Sequence, residues 1–77
     1  MAMVIVLDKP KDQSWTREEA HLVVDRLGCH VERWSKFPGR MVIHLAAASR
    51  KTFAEILGSG DFTMNVVSNA DMWKEEK

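Results

Sequence analysis

The apolar residues of this chain divide it into four strand-like runs and two helical segments. The first run, Met3 to Leu7, is apolar at every position and rich in β-branched residues, which is typical of a central strand. The run from Met41 to Ala47 is also apolar on both faces, with His44 as its one polar residue. The runs that begin at Val31 and at Phe62 mix polar with apolar residues, which favours edge strands with one wet side.

Two helices are predicted between these runs. Thr16 begins a capping box, because its hydroxyl can accept from the Glu19 amide while the Glu19 carboxylate accepts from the Thr16 amide. Apolar residues then recur on one helical face, so the pattern predicts a helix from Arg17 to Leu27. Ser49 is a plausible N-cap for a second helix from Arg50 to Leu57.

The stretch Phe37-Pro38-Gly39-Arg40 predicts a tight turn between the second and third strands. Pro38 suits the second position of a type II turn, since its ring holds φ near −65°. Gly39 suits the third position, which needs a positive φ. We therefore expect a β-hairpin closed by a type II turn.

The resulting order, β-α-β-β-α-β, predicts an α+β domain of the ferredoxin-like arrangement. Its sheet is expected to be antiparallel, with four strands in the order 4-1-3-2 and two helices on one face. The two runs that are apolar on both faces then occupy the central positions of the sheet. The two runs that mix polar and apolar residues occupy its edges. We assign residues 1–68 to this domain and residues 69–77 to a polar C-terminal tail.

The sheet face without helices is expected to carry an apolar patch. If Val31 points towards the helices, strict alternation brings Trp34 beside His44 on the open face. On the first strand either Val4 and Val6 or Ile5 and Leu7 face outward. The expected patch consists of Val4, Val6, Val42, Trp34 and Val67, with His44 among them. Such a patch needs a cover: a second copy, another protein, nucleotide bases, or the chain's own tail through Met72 and Trp73.

Composition limits the class of protein. Apolar residues are 45% and charged residues 29%, an ordinary globular balance, and 77 residues suffice for one small domain. The net charge of zero argues against the broad positive field of a non-specific nucleic-acid binder. The apolar run at the start is too short for a signal peptide or membrane helix, so a soluble cytoplasmic protein is expected, without membrane partners.

No motif for catalysis or for metal or cofactor binding is recognisable. The single cysteine, Cys29, excludes an intramolecular disulfide and any zinc site built on several thiolates. Cys29 follows a helix end and the C′ residue Gly28, so we expect it to pack back on the helix. His21, His30 and His44 lack the spacing of a zinc site, and we predict no catalytic residue, metal or cofactor.

Two small basic spots remain as candidate sites. Arg33, Lys36 and Arg40 are expected to cluster near the tip of the hairpin. Ser49-Arg50-Lys51 at the start of the second helix is a possible anion site, where free amides and two cations meet. Trp34 and Trp73 have no obvious core position, and exposed tryptophans often mark binding surfaces.

The order of elements resembles that of three families. RNA-recognition motif domains share it and stack bases on aromatics of the first and third strands, but none lies in Val4 to Leu7 or Arg40 to Leu45. ACT-type regulatory domains often have an Asp-x-Pro-Gly turn after the first strand, and this chain has Asp8-Lys9-Pro10-Lys11. Acylphosphatases need an arginine-bearing loop there, which is missing. No family is assigned on this basis.

The leading hypothesis is a small non-enzymatic interaction or regulatory module, an adaptor or inhibitor, that uses the open sheet face and also self-associates. Its interaction residues are expected to be Trp34, His44, Val42, Arg33, Lys36, Arg40 and Trp73. A single-stranded nucleic-acid-binding domain and an ACT-like small-ligand-binding regulatory domain are the alternatives. An enzyme with His44 in the cleft of a dimeric barrel is the least favoured.

Overall fold

The computed structural model describes residues 3–58 and 60–67 and contains the six predicted elements. Both helices have the predicted bounds, and a single 3-10 turn, Gly28–His30, follows the first helix. The predicted tail, with Met72 and Trp73, lies outside the described residues. In chain order the elements are β1 (Met3–Asp8), α1 (Arg17–Leu27), β2 (Val31–Lys36), β3 (Arg40–Leu45), α2 (Arg50–Leu57) and β4 (Thr63–Val66).

The four strands form one antiparallel sheet in the order β2-β3-β1-β4. Counted from the β4 edge, the same order reads 4-1-3-2. The two more apolar strands, β1 and β3, are central, and the two more polar strands are edges. The chain is therefore a small α+β domain with a four-stranded sheet and two helices. Within its described residues, no helix is long and apolar enough to cross a membrane.

The hydrophobic core lies between the sheet and the helices. Alternate residues of β1 and β3 point into it, as the burial of Ile5 and Ile43 shows. The choice left open for β1 is thereby settled, because Val4 and Val6 face the other side. The buried apolar side chains are Met3, Ile5, Leu7, Trp15, Ala20, Val23, Leu27, Met41, Ile43, Leu45 and Ile56.

Both predicted helix caps are present. The Glu19 amide donates to the Thr16 hydroxyl at 3.1 Å, and the Thr16 amide donates to the Glu19 carboxylate at 3.2 Å. The Thr52 amide donates to the Ser49 hydroxyl at 3.3 Å at the start of α2. These contacts satisfy amides that a helix N-terminus leaves without intrahelical partners, which explains why both starts could be read locally.

The hairpin turn is not of type II. Gly39 does not adopt the left-handed φ that the third position of a type II turn requires. The loop between β1 and α1 holds the tip instead, since the Lys9 amide donates to the Gly39 carbonyl at 2.9 Å and the Trp15 amide to the Pro38 carbonyl at 2.6 Å. The geometry of the turn therefore depends on hydrogen bonds from Lys9 and Trp15, which are distant from it in the chain.

The end of α1 departs from the expected motif at Cys29. Gly28 has φ 51° and ψ −116°, a conformation that suits glycine because it has no Cβ. The 3-10 turn then leads the chain away, and Cys29 is exposed rather than packed back on the helix. The prediction that Cys29 is a packed residue is therefore wrong.

Candidate interaction surface on the open sheet face

The face of the sheet opposite the helices, called here the open face, is ordered in three rows across the strands. In the first row His44 lies between Arg33 and Val4. The Val67 amide extends this row by donating to the Val4 carbonyl at 2.9 Å. The second row contains Ser35, Val42, Val6 and Asn65, and the third contains Arg40, Asp8 and Thr63.

Valines occupy the middle of the open face. Val4, Val6 and Val42 are half-buried by their strand neighbours, and Val67 is 64% exposed at the edge. We call these four residues the valine patch. Both predicted outward positions of β3, Val42 and His44, are found on this face. The patch is thus apolar in its centre and polar at both ends.

Trp34 does not belong to the open face. It lies opposite Ile43, whose side chain is buried under the helices, and it packs against the core from that side. Its ring meets that of His21 on α1 edge to face, with 5.3 Å between centroids. The prediction that Trp34 stands beside His44 is therefore wrong.

A β-bulge in β2 causes this change of face. Val31 pairs with Leu45 and Arg33 with His44, so Glu32 is an extra residue on the bulged strand. The bulge lets Val31 and Trp34, three positions apart, both turn towards the core. The odd spacing of Val31 and Trp34, the two apolar residues of this polar edge strand, is the feature of the sequence that indicates the bulge. Strict alternation would place them on opposite faces.

The bulge also places Arg33 on the open face. One guanidinium nitrogen of Arg33 lies 3.4 Å from Nδ1 of His44. Because arginine only donates, Nδ1 of His44 is the acceptor in this contact. A cationic edge thus borders the valine patch on the side of β2.

An ion pair between central strands forms the opposite end of the face. Arg40 donates to Asp8 through Nε at 2.7 Å and through a terminal nitrogen at 3.2 Å. This bidentate contact raises the pKa of Arg40 above its usual value. Sequence reasoning missed the pair because 32 residues separate its members and only the register of β1 against β3 joins them.

The predicted basic cluster at the hairpin tip does not form. Arg33 lies beside His44, two rows from Arg40, and Arg40 is engaged with Asp8. Lys36 pairs opposite the buried Met41, so it belongs to the other side of the sheet. Each cation therefore has different surroundings, and no common basic surface results.

The start of α2 likewise offers little to an anion. The Ser49 hydroxyl already accepts from the Thr52 amide and lies 3.3 Å from the Thr52 hydroxyl. Arg50 and Lys51 are exposed. The role of Ser49 as the N-cap of α2 therefore accounts for the contacts of its hydroxyl.

Metal-ligating side chains are not clustered in the described part of the chain. Residues 3–58 and 60–67 contain no cluster of three His, Cys, Asp or Glu side chains suited to a metal ion. An open cleft of about 400 Å³ lies beside the loop after β1, and among the described residues that line it only Asp61 is ionisable. The cleft is lined by Pro10, Gly60, Asp61, Phe62 and Thr63.

Comparison with known proteins returns no relative. No protein-family model matches the chain, and neither a curated protein nor a solved structure matches it.

Proposed function

We propose that this protein is a small non-enzymatic protein–protein interaction module, an adaptor or inhibitor, that binds through its open sheet face. The observation that carries the proposal is the valine patch on the side that neither helix covers. Apolar surface removed from water contributes about 25 cal/mol per Å². A patch of this kind with a polar border is a typical protein-binding surface.

The border of the patch supports the same function. The Arg33–His44 contact lies at one end and the Asp8–Arg40 ion pair at the other. Protein interfaces commonly combine an apolar centre with a charged or polar rim, where the rim selects the partner and the centre supplies affinity. A partner surface should therefore be apolar in the middle and carry both signs of charge.

We propose also that the connectivity is ferredoxin-like and that the module acts in the cytoplasm. The alternation of elements along the chain and the central position of β1 and β3 support the first. The single cysteine supports the second, since nothing in the chain needs an oxidising compartment. A regulatory role suits a small domain that offers a surface to a partner.

The nucleic-acid alternative loses its main support. It relied on Trp34 as a stacking platform beside the basic residues of the hairpin, and Trp34 packs against His21 instead. The ACT-like alternative relies on topology, with the cleft beside Pro10 as its nearest candidate pocket. Neither has an observation comparable to the valine patch.

A photocrosslinking experiment tests the proposed function. A benzophenone amino acid is placed at Val42 on the open face or, as a matched control, at Leu22, which is 53% exposed on α1. Irradiation in extract of the native cell is expected to give discrete cross-linked proteins from position 42 only. Unlabelled wild-type chain should compete for them, and a Val42→Asp chain should not. Equal labelling from both positions, or no product from position 42, would overturn the proposal.

A further inference from the structure

We infer that the partner of the open face is a second copy of this chain, docked face to face about a two-fold axis parallel to the strands. The inference rests on the proposed function and names its partner. The axis passes between β3 and β1, the two central strands. The rotation lays β3 of one copy over β1 of the other and β2 over β4, and each row of the open face meets the same row of the second copy.

Under this rotation the apolar residues meet one another. Val42 of one copy lies over Val6 of the other, and the two-fold axis makes this contact occur twice in the interface. Val4 lies over His44, whose Nδ1 faces Arg33 of its own chain. The middle of the interface is therefore apolar, as stable interfaces require.

The charged row is complementary to itself. Arg40 of one copy faces Asp8 of the other, so the two intrachain ion pairs become a ring of four charges with alternating signs. Each carboxylate gains a second cation and each guanidinium a second anion. The other axis in the sheet plane, perpendicular to the strands, places Arg40 over His44 and Asp8 over Val4, which leaves both charges unmatched. Charge complementarity therefore selects the axis parallel to the strands.

The edge strands also match. Ser35 lies over Asn65, a pair that can exchange hydrogen bonds. Arg33 lies over Val67, where its aliphatic stem can cover the valine while the guanidinium stays in water. The strands of the two sheets run nearly aligned, within about 30° of one another, as in packed β-sandwiches.

The size of the face predicts a modest affinity. Four strands spaced about 4.8 Å apart and about 20 Å long present roughly 400 Å² in projection. That is about half of the 800 Å² that each partner contributes to a standard interface. Because the net charge is zero, no net Coulomb repulsion opposes the association of two copies. We therefore expect a dimer that dissociates in the micromolar range.

Charge reversal of the ion pair tests both the partner and the axis. In the Asp8→Arg variant the ring becomes four cations, and in Arg40→Asp it becomes four anions. Each variant alone is expected to dimerise at least about tenfold more weakly than wild type in sedimentation velocity. An equimolar mixture should form the heterodimer with near wild-type affinity, because the two cations of one chain then face the two anions of the other. The double variant, Asp8→Arg with Arg40→Asp, should dimerise by itself.

Three results would overturn the inference. The first is a wild-type chain that stays monomeric to millimolar concentration. The second is a single variant, either one, that dimerises as wild type does. The third is an equimolar mixture that stays monomeric while both variants retain the circular dichroism of the folded chain. Cross-links from position 42 that map within the same chain would name the segment after Val67 as the occupant and overturn the dimer. Cross-links to a different protein from a monomeric chain would overturn the dimer and leave the proposed function standing.

Discussion

Trp34 meets His21 edge to face, with 5.3 Å between ring centroids and 83° between planes. This contact joins the polar edge strand β2 to α1 and assigns the tryptophan to the helix side of the sheet. The open face is left with Arg33 at the corresponding position, beside His44. The open face is therefore a valine patch with charged ends, and Trp34 packs on the helix side of the sheet.

Replacing Trp34 by alanine is expected to lower stability without altering the open face. The half-buried ring packs against the core, so its loss should cost about 2 kcal/mol of unfolding free energy. The matched control is Phe37→Ala, which removes a 51% exposed aromatic ring from the same hairpin and should cost less than about 0.5 kcal/mol. Urea denaturation measures both. Unchanged stability of the Trp34 variant would contradict its assigned side.

The Trp15→Phe variant tests a buried hydrogen bond. The indole nitrogen of Trp15 donates to the Leu7 carbonyl at 3.0 Å, and the Lys9 ammonium lies 4.8 Å from the ring centroid. Phenylalanine keeps an aromatic ring but leaves the carbonyl without this donor, which should cost about 1–3 kcal/mol. Denaturation of this variant beside Trp34→Phe, which makes the same change of ring at a half-buried position, separates the hydrogen bond from ring size. Equal losses would argue against the bond.

Two glycines with different backbone conformations should respond differently to alanine. Gly28 has φ 51°, so Gly28→Ala introduces backbone strain and should destabilise the chain by about 1–2 kcal/mol. At Gly39 the φ is not left-handed, and an added Cβ would meet the Gln13 carbonyl at an ordinary 3.5 Å, so Gly39→Ala should change stability by less than about 0.5 kcal/mol. Thermal unfolding compares the two. A large loss of stability in the Gly39→Ala variant would contradict the observed backbone conformation and support a type II turn.

Stability should depend on pH through Glu19. The hydrogen bond from Lys9, and then that from the Thr16 amide, lowers the pKa of Glu19 below its usual value of 4.5. A lowered folded-state pKa means that the contribution is present above pH 4.5 and is lost as pH falls through the folded value.

The Glu19→Gln variant measures this contribution. Wild type should be more stable than the variant at pH 7 by less than about 1 kcal/mol, since the Glu19 side chain is 43% exposed and screened by solvent. The difference should shrink as pH falls below 4.5. Urea midpoints between about pH 3 and 7 provide the test, and a difference that stays constant over this range would exclude the linkage.

Much of the fold was predictable because its causes are local. The capping box at Thr16 and the N-cap at Ser49 mark helix starts that the structure reproduces to the residue. A run that is apolar on both faces favours a central position in a sheet, so β1 and β3 could be placed centrally before any contact was known. Alternation within β3 likewise assigned Val42 and His44 to the open face.

The candidate surface was predictable only in its centre. Its valines follow from alternation within single strands, but its charged ends depend on which residues meet across strands. Asp8 reaches Arg40 only because β1 pairs with β3 in one register, while the neighbouring Lys9 contacts Glu19 and Trp15.

The sequence by itself determined the elements, their order along the chain and the apolar sides of the central strands, because capping and periodicity act over a few residues. Only the tertiary structure decided the side of Trp34. Strict alternation places Val31 and Trp34 on opposite faces, and the extra residue Glu32 brings both to the core. The driving force for that bulge is contact with α1 and the sheet core, which no local pattern of β2 contains.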